Sequence, residues 1–410
     1  MNFFERKFYT MSSFKISESV YSVGILNPNM RIFDIVMTTE YGTSYNSYIV
    51  KGDNKIALVE VCHASYFDSY LDNIKEVCNP EDINYIVLNH CEPDHSGALA
   101  DLLKVCPNAE VVVSTAGSLY LKNITNRTDY KTIIAKDGDT IDLGGKTLKF
   151  INAPFLHWPD SMFTYCPEEN TLFSCDMFGC HYCEPYVLDS RISYPNGYED
   201  AFLGYYNAIF GPFKKFVISG INKIKNLPID VICCSHGPVL TKGNRLEYAV
   251  QKYLEWSAPV KNEVTTIPIF YCSAYGCTEK CAYAIADGIK SVISNACVEV
   301  LDINSNDSST LASKINSCDG FAVGSPTLNA DAVAPVSNLL NCIDAINCKK
   351  KPALAFGSYG WSGEAVPNLN SKMSTLKLNV FEGGFKFQFV PSETDLKNAF
   401  EVGKKFAEMF

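Results

Sequence analysis

Ile83-Asn-Tyr-Ile-Val-Leu-Asn-His90-Cys-Glu-Pro-Asp-His95 is an apolar strand that runs directly into a knot of metal-binding side chains. Its apolar, β-favouring first half is bounded by polar residues, the pattern of a buried strand. His90, Glu92, Asp94 and His95 then place four potential ligands within six residues. Loops just past strand ends in layered α/β folds collect functional groups, and this one is placed accordingly. Cys91 lies inside the motif, yet a single thiol between alternating ligands turns to the opposite side, so it is expected to pack.

Three further candidates lie downstream: His157 in Phe155-Leu-His-Trp-Pro-Asp160, Asp176 in Phe173-Ser-Cys-Asp-Met, and His236 in Cys234-Ser-His-Gly-Pro238. The chain has six His and this set uses four, leaving His63 and His181 outside it. Either His157 or His236 alone would pass for a solvated loop residue. Four His and three carboxylates together exceed what one structural zinc needs. They suit two metals that share a bridging carboxylate and keep open positions for substrate. Imidazole and carboxylate without thiolate favour iron, manganese or zinc.

Around this motif the first half alternates strand-rich and helical segments. Ile32-Phe-Asp-Ile-Val-Met, Ser47-Tyr-Ile-Val and Lys55-Ile-Ala-Leu-Val-Glu-Val have strand character, and Met162–Tyr165 and Thr171–Ser174 flank a hairpin turn at Pro167–Asn170. Helices are expected over Ser96–Val105, Asp200–Lys225 and Asn244–Trp256. The pattern changes near 258–265. Five strands then alternate with five helices, beginning at Ile267, Val298, Gly320, Pro352 and Phe385, which implies a doubly wound parallel sheet. The expected domains are 1–260 and 261–410.

In the second domain, the first strand leads into Ser273-Ala-Tyr-Gly-Cys-Thr278 and a helix opening. Backbone N–H groups and hydroxyls of such a loop can cradle a phosphate at a helix N-terminus. The loop matches neither a Walker A motif nor Gly-x-Gly-x-x-Gly, which weakens nucleoside triphosphate and nicotinamide readings. Gly324-Ser-Pro-Thr-Leu-Asn329 follows the third strand and Gly357-Ser-Tyr-Gly-Trp-Ser-Gly363 the fourth. With strand order 2-1-3-4-5, all three loops meet at the carboxyl edge near the topological switch point. Tyr359 and Trp361 are placed to pack near a flat ring.

Composition narrows the setting. The net charge is −10, only five of the 35 basic residues are Arg, and the last of these is Arg245, which argues against a nucleic-acid partner or an anionic membrane surface. Seventeen Cys scattered through a long chain do not form a secreted disulfide scaffold. The opening Met-Asn-Phe-Phe-Glu-Arg-Lys-Phe is too charged for a signal peptide, and no run of 18 apolar residues exists. A reduced, cytoplasmic protein is expected. Cys180-His-Tyr-Cys183 has no second Cys-x-x-Cys to complete a metal site, so these cysteines are expected to be structural.

The His-x-Glu-x-Asp-His run resembles the metallo-β-lactamase superfamily signature His-x-His-x-Asp-His, with Glu92 replacing the second His. That replacement, with His157, Asp176 and His236 in the family's order and three flavodoxin-like loops behind, resembles the flavodiiron proteins. The resemblance implies an N-terminal αββα sandwich and a C-terminal flavodoxin-like domain. It implies two iron ions per chain, oxo- or hydroxo-bridged, and FMN. His90, Glu92 and His157 would bind one iron and Asp94, His95 and His236 the other, with Asp176 bridging. Ser273, Ala274, Tyr275, Gly276, Cys277 and Thr278 would hold the FMN phosphate. Ser325, Pro326, Thr327, Leu328, Asn329, Ser358, Tyr359, Gly360, Trp361, Ser362 and Gly363 would line the rest of the flavin site.

By the same resemblance the chain would be an oxidoreductase that reduces O2 to water, detoxifying oxygen in an anaerobe, with NO reduction to N2O as the alternative. The two-domain length implies an external donor such as rubredoxin, ferredoxin or a flavin/NADH reductase. A head-to-tail homodimer, or a dimer of such dimers, would bring the FMN of one subunit to the diiron site of the other. Two rivals come from other classes. A zinc hydrolase with an appended flavodoxin is opposed by Glu92, because a harder oxygen ligand suits iron better than zinc. A non-catalytic electron carrier is opposed by the intact ligand set.

Overall fold

A computed structural model of the chain describes residues 13–259 and 262–410. Two compact units emerge, Met1–Ala258 and Pro259–Phe410. The charged opening stretch 1–8 and the expected boundary at 260/261 lie outside the described residues.

In the first unit, two sheets form the middle of four layers. One has seven strands and contains Tyr48–Lys51, Ile56–Val59, Ile83–Leu88 and Glu110–Val113; the other has six and contains Thr147–Asn152, Met162–Cys166, Thr171–Cys175 and Val231–Cys234. Alternation along each strand divides the side chains between two cores. Val87 and Val112 point inward to meet Phe150, Met162 and Phe173 of the other sheet. Their neighbours Ile86, Leu88, Val111 and Val113 point outward to the helices carrying Tyr70, Ile74, Leu99 and Leu102. Ile151, Phe163 and Leu172 do the same on the far side, against Tyr198, Phe202, Val217 and Tyr253. The result is an αββα sandwich, and Met162–Cys166 pairs antiparallel with Thr171–Cys175 as the hairpin pattern required.

One local expectation fails. The run 32–37 is not a single strand but a tight hairpin, Ile32–Phe33 paired with Met37–Thr38. Asp34 and Ile35 turn the chain at φ +46° and +69°. Neither is a glycine, so the turn carried none of the usual signals.

The second unit is a parallel sheet in the order Val300–Asp302, Ile269–Tyr271, Phe321–Gly324, Pro352–Tyr359, Asn379–Val380, with Phe385–Gln388 also pairing to Pro352–Tyr359. This is the 2-1-3-4-5 order, with the fifth position divided between two short strands. Alternate residues feed cores on both faces: Phe270, Val323 and Ala355 on one, Ile269, Ala322 and Leu354 on the other. Helix Cys277–Val292 packs beside helix Glu393–Ala407 so tightly that a Cβ on Gly288 would lie 2.1 Å from the Phe400 carbonyl oxygen. Among the described residues, no helix is long and apolar enough to cross a membrane.

Candidate functional site

The seven expected ligands, separated by up to 146 positions, converge in the first unit as two groups. His90 Nε2 and His157 Nε2 lie 3.1 and 3.2 Å from Glu92 Oε2, and 3.9 and 3.8 Å from Asp176 Oδ2. His95 Nε2 and His236 Nε2 lie 3.2 and 3.0 Å from Asp94 Oδ2, and 3.1 and 3.4 Å from Asp176 Oδ1. Asp176 therefore offers one oxygen to each group. The strand ends deliver these residues: His90 follows Ile83–Leu88, Asp176 follows Thr171–Cys175, and His236 follows Val231–Cys234. Cys91 is buried among the core side chains beneath the motif, away from this convergence.

A second ring of groups orients the imidazoles, and sequence reading missed it. Asp160 receives His90 Nδ1–H at 3.1 and 3.2 Å through its two oxygens, and Oδ2 also accepts the Cys91 N–H at 2.7 Å. The Ser44 carbonyl accepts His236 Nδ1–H at 2.6 Å, leaving Nε2 to face inward. Tyr205 Oη donates to Asp176 Oδ1 at 3.0 Å. Glu60 stands behind His95, its Oε2 3.6 Å from Nδ1. Asp160 sat in the quoted His157 stretch, and Glu60 was an acid ending an apolar strand. Neither pairing shows in sequence spacing.

Burial opposes charge on His90, Glu92, Asp94, His95, Asp176 and His236, and the clustered opposite charges outweigh it. Hydrogen bonds to Asp160 and Glu92 overcome burial at His90 and push it up to about 10. Asp176 and Asp94 hold His95 well above the usual imidazole value, and Asp94 does the same more mildly for His236. Against the same burial, His157 and His90 pull Glu92 down to about 2, and His95 holds both Asp94 and Asp176 below the carboxylate range. The carboxylates and imidazoles of the cluster thus hold one another in their charged forms. The donor set fits two hard or borderline cations, and Asp94 Oδ1 is buried without a hydrogen-bond partner.

A cavity of about 230 Å³ opens onto Glu92, Pro93 and Asp94, and its other walls are Met30, Ile32, Phe33, Asp34, Tyr45 and His63. The 32–38 hairpin is thus its rim. His181 lies behind His236, ring centroids 5.2 Å apart, with Nδ1 2.8 Å from Thr43 Oγ1. Burial and the neighbouring His236 push it down to about 3, so it stays neutral. Burial raises the Cys180 thiol well above its ordinary value and pushes Cys183 up to about 12, which suits structural cysteines rather than reactive ones.

In the second unit the three expected loops gather at the carboxyl edge of the sheet. Thr278 Oγ1 and Ser358 Oγ are 3.1 Å apart, and Ala365 N–H donates to Thr327 Oγ1 at 3.4 Å, so each loop is tied to a neighbour. A Cβ on Gly357 would lie 1.9 Å from the Ser325 carbonyl oxygen, which explains that glycine. Gly276 caps the sixteen-residue helix Cys277–Val292 at φ +73°, and beside it the buried Ser273 hydroxyl has no partner. That is the fit expected of a phosphate cradle. Tyr275 and Trp361 are 93% and 91% exposed, and Leu328 is also exposed. Tyr359 carries Lys386 Nζ 5.3 Å over its ring. The Gly360 carbonyl accepts from Gln388 and Ser362 bonds Glu364. Ser325 is fully buried, its hydroxyl donating to the Pro326 carbonyl and accepting the Val333 N–H, so its side chain is committed to the loop. Asn329 turns at φ +52° and Gly363 at +82°.

Comparison with known proteins agrees with both halves. Residues 43–237 match the ODP family beta lactamase and residues 269–403 match flavodoxin. Flavo-diiron protein FprA2 of Clostridium acetobutylicum is 52% identical over 97% of this chain and 100% of its own length. A nitric oxide reductase of Moorella thermoacetica is 33% identical over 96% of this chain and 97% of its own. The solved rubredoxin oxygen:oxidoreductase of Desulfovibrio gigas superposes with a TM-score of 0.70 at 28% identity, covering 97% of this chain and 98% of that one. The chain belongs to the flavodiiron proteins, oxidoreductases that pair FMN with a non-haem diiron centre.

Proposed function

We propose that this flavodiiron protein is an oxygen reductase, taking O2 to two waters with four electrons that pass through FMN from an external donor. The observation that carries the diiron part of this reading is Asp176, which offers one oxygen to each of two groups of candidate ligands beside an open cavity. His90, Glu92 and His157 would hold one iron and Asp94, His95 and His236 the other, with Asp176 between them. Bound iron would supply Lewis acidity and electrons, and bound FMN a two-electron relay, so that two plus two electrons match the demand of O2. The protein's part is orientation. Asp160 and the Ser44 carbonyl fix two imidazoles, Tyr205 fixes Asp176, and the apolar walls Met30, Ile32 and Phe33 limit water at the open side.

Ser273 to Thr278 would cradle the FMN phosphate without any guanidinium, with Tyr275 and Trp361 flanking the ring system. Exposed apolar side chains support a head-to-tail dimer: Ile32, Ile35 and Val36 at the cavity rim, and Tyr275 and Trp361 at the flavin loops. The donor is proposed to be a small carrier of the rubredoxin or ferredoxin class, or a flavin reductase. NO reduction is the second reading, favoured by the Moorella relative's name. Anaerobic stopped flow of the reduced protein should show rapid reoxidation by O2 with water as the product. Slow reoxidation by O2 beside fast N2O formation from NO would reverse the preference.

A further inference from the structure

His95 turns its outward nitrogen toward two buried side chains from different strand ends. Glu60 Oε2 lies 3.6 Å and Cys175 Sγ 3.9 Å from Nδ1. Glu60 and Cys175 sit at φ +61° and +55°, a region that residues with side chains occupy only when the surrounding structure holds them there. Glu60 is 1% exposed. Its Oε1 accepts the Asn89 N–H at 3.1 Å, while Oε2 is buried with no hydrogen-bond partner. A buried polar atom left unpaired costs stability, so its retention calls for an explanation.

The explanation is supplied by the metal position on the other side of the ring. A cation on Nε2 fixes the remaining proton on Nδ1 and strengthens it as a donor, and Oε2 is the acceptor in reach. The first position already displays the closed form of this arrangement, with Asp160 engaging His90 Nδ1 at 3.1 and 3.2 Å.

We propose that Glu60 is the positioning residue of the second metal position, acting through His95 Nδ1, as Asp160 acts on the first through His90. Each iron then has its own outer carboxylate, and the two can be tuned separately. The inference rests on the diiron reading of the site.

The test uses the full chain loaded with ⁵⁷Fe, with iron and flavin quantified and Mössbauer spectra recorded in the diferrous form. Glu60→Gln should shift or empty one quadrupole doublet, with about a 10–100-fold loss of iron affinity at that position alone. Asp160→Asn should shift or empty the other, and Glu60→Asp should move the affected doublet back toward its original position. The proposal is overturned if both variants act on the same doublet, or if neither doublet moves with two irons bound. Loss of both irons together in Glu60→Gln would also overturn it, because that is what a purely structural residue would do. An unsubstituted chain that fails to hold two irons would defeat the diiron reading itself, a separate outcome.

Discussion

The two units solve the problem of holding a cofactor in opposite ways. In the first, the site is part of the interior: five of its seven converging side chains are buried, and their charges balance against one another and against Asp160. In the second, the site is a surface of loop backbone, hydroxyls and rings, with Tyr275 and Trp361 almost fully exposed. The difference teaches where stability is tied to cofactor. A site whose binding groups are buried in the core ties the stability of that core to the bound cation. A site built from exposed rings and backbone N–H groups leaves its sheet intact.

That contrast is open to challenge, first at the shared carboxylate. Asp176→Asn should lower gas reduction at least about a hundredfold, the upper end of what outer partners alone cost, while dithionite still bleaches the flavin normally. Retained turnover would remove Asp176 from the site. Next, stripping iron should destabilise the first unit by about 4 kcal/mol, the linkage expected at a thousandfold excess over Kd, or roughly ten degrees for a unit of this size. Calorimetry should find the second unit's transition unmoved, and a joint shift would break the contrast. In the stripped protein His90 holds its proton up to about 10. Its contribution is complete below about 6.5 and fades as pH rises toward 10, so a metal-free transition that climbs over that interval would contradict it.

On the flavin side the effects should be smaller. Trp361→Ala should weaken FMN binding by roughly 0.5–1.5 kcal/mol, up to about tenfold in Kd by fluorescence titration, with iron content unchanged. Smallest of all, Cys183→Ser should leave iron, flavin and turnover alone, with stability within about 0.5 kcal/mol. A loss of iron there would give Cys183 the metal role that its raised thiol value argues against.

Legibility in the sequence followed chemistry more than distance. His90, Glu92, Asp94, His95, His157, Asp176 and His236 stood out because few side chains bind metals and these came in a fixed order. Their grouping about Asp176 is what the fold adds. The regular strand and helix alternation after residue 266 made the parallel sheet readable, because a βα repeat leaves few topologies. The outer ring was hidden for physical reasons. Asp160 reaches His90 across seventy positions, and the Ser44 carbonyl is backbone, which carries no side-chain signature. The 32–38 hairpin was hidden because Asp34 and Ile35 adopt left-handed conformations without the residues that usually announce them.

The division of Asp176, one oxygen toward each ligand group, also bears on how the centre fills. The first ion to arrive would orient this carboxylate and draw in one group's imidazoles, and in doing so would set the second oxygen in place for its companion. Loading should therefore lean toward pairs: iron titrated into the stripped, unsubstituted protein should leave fewer singly filled chains than independent filling would give, while a variant weakened at one position should still hold the other iron.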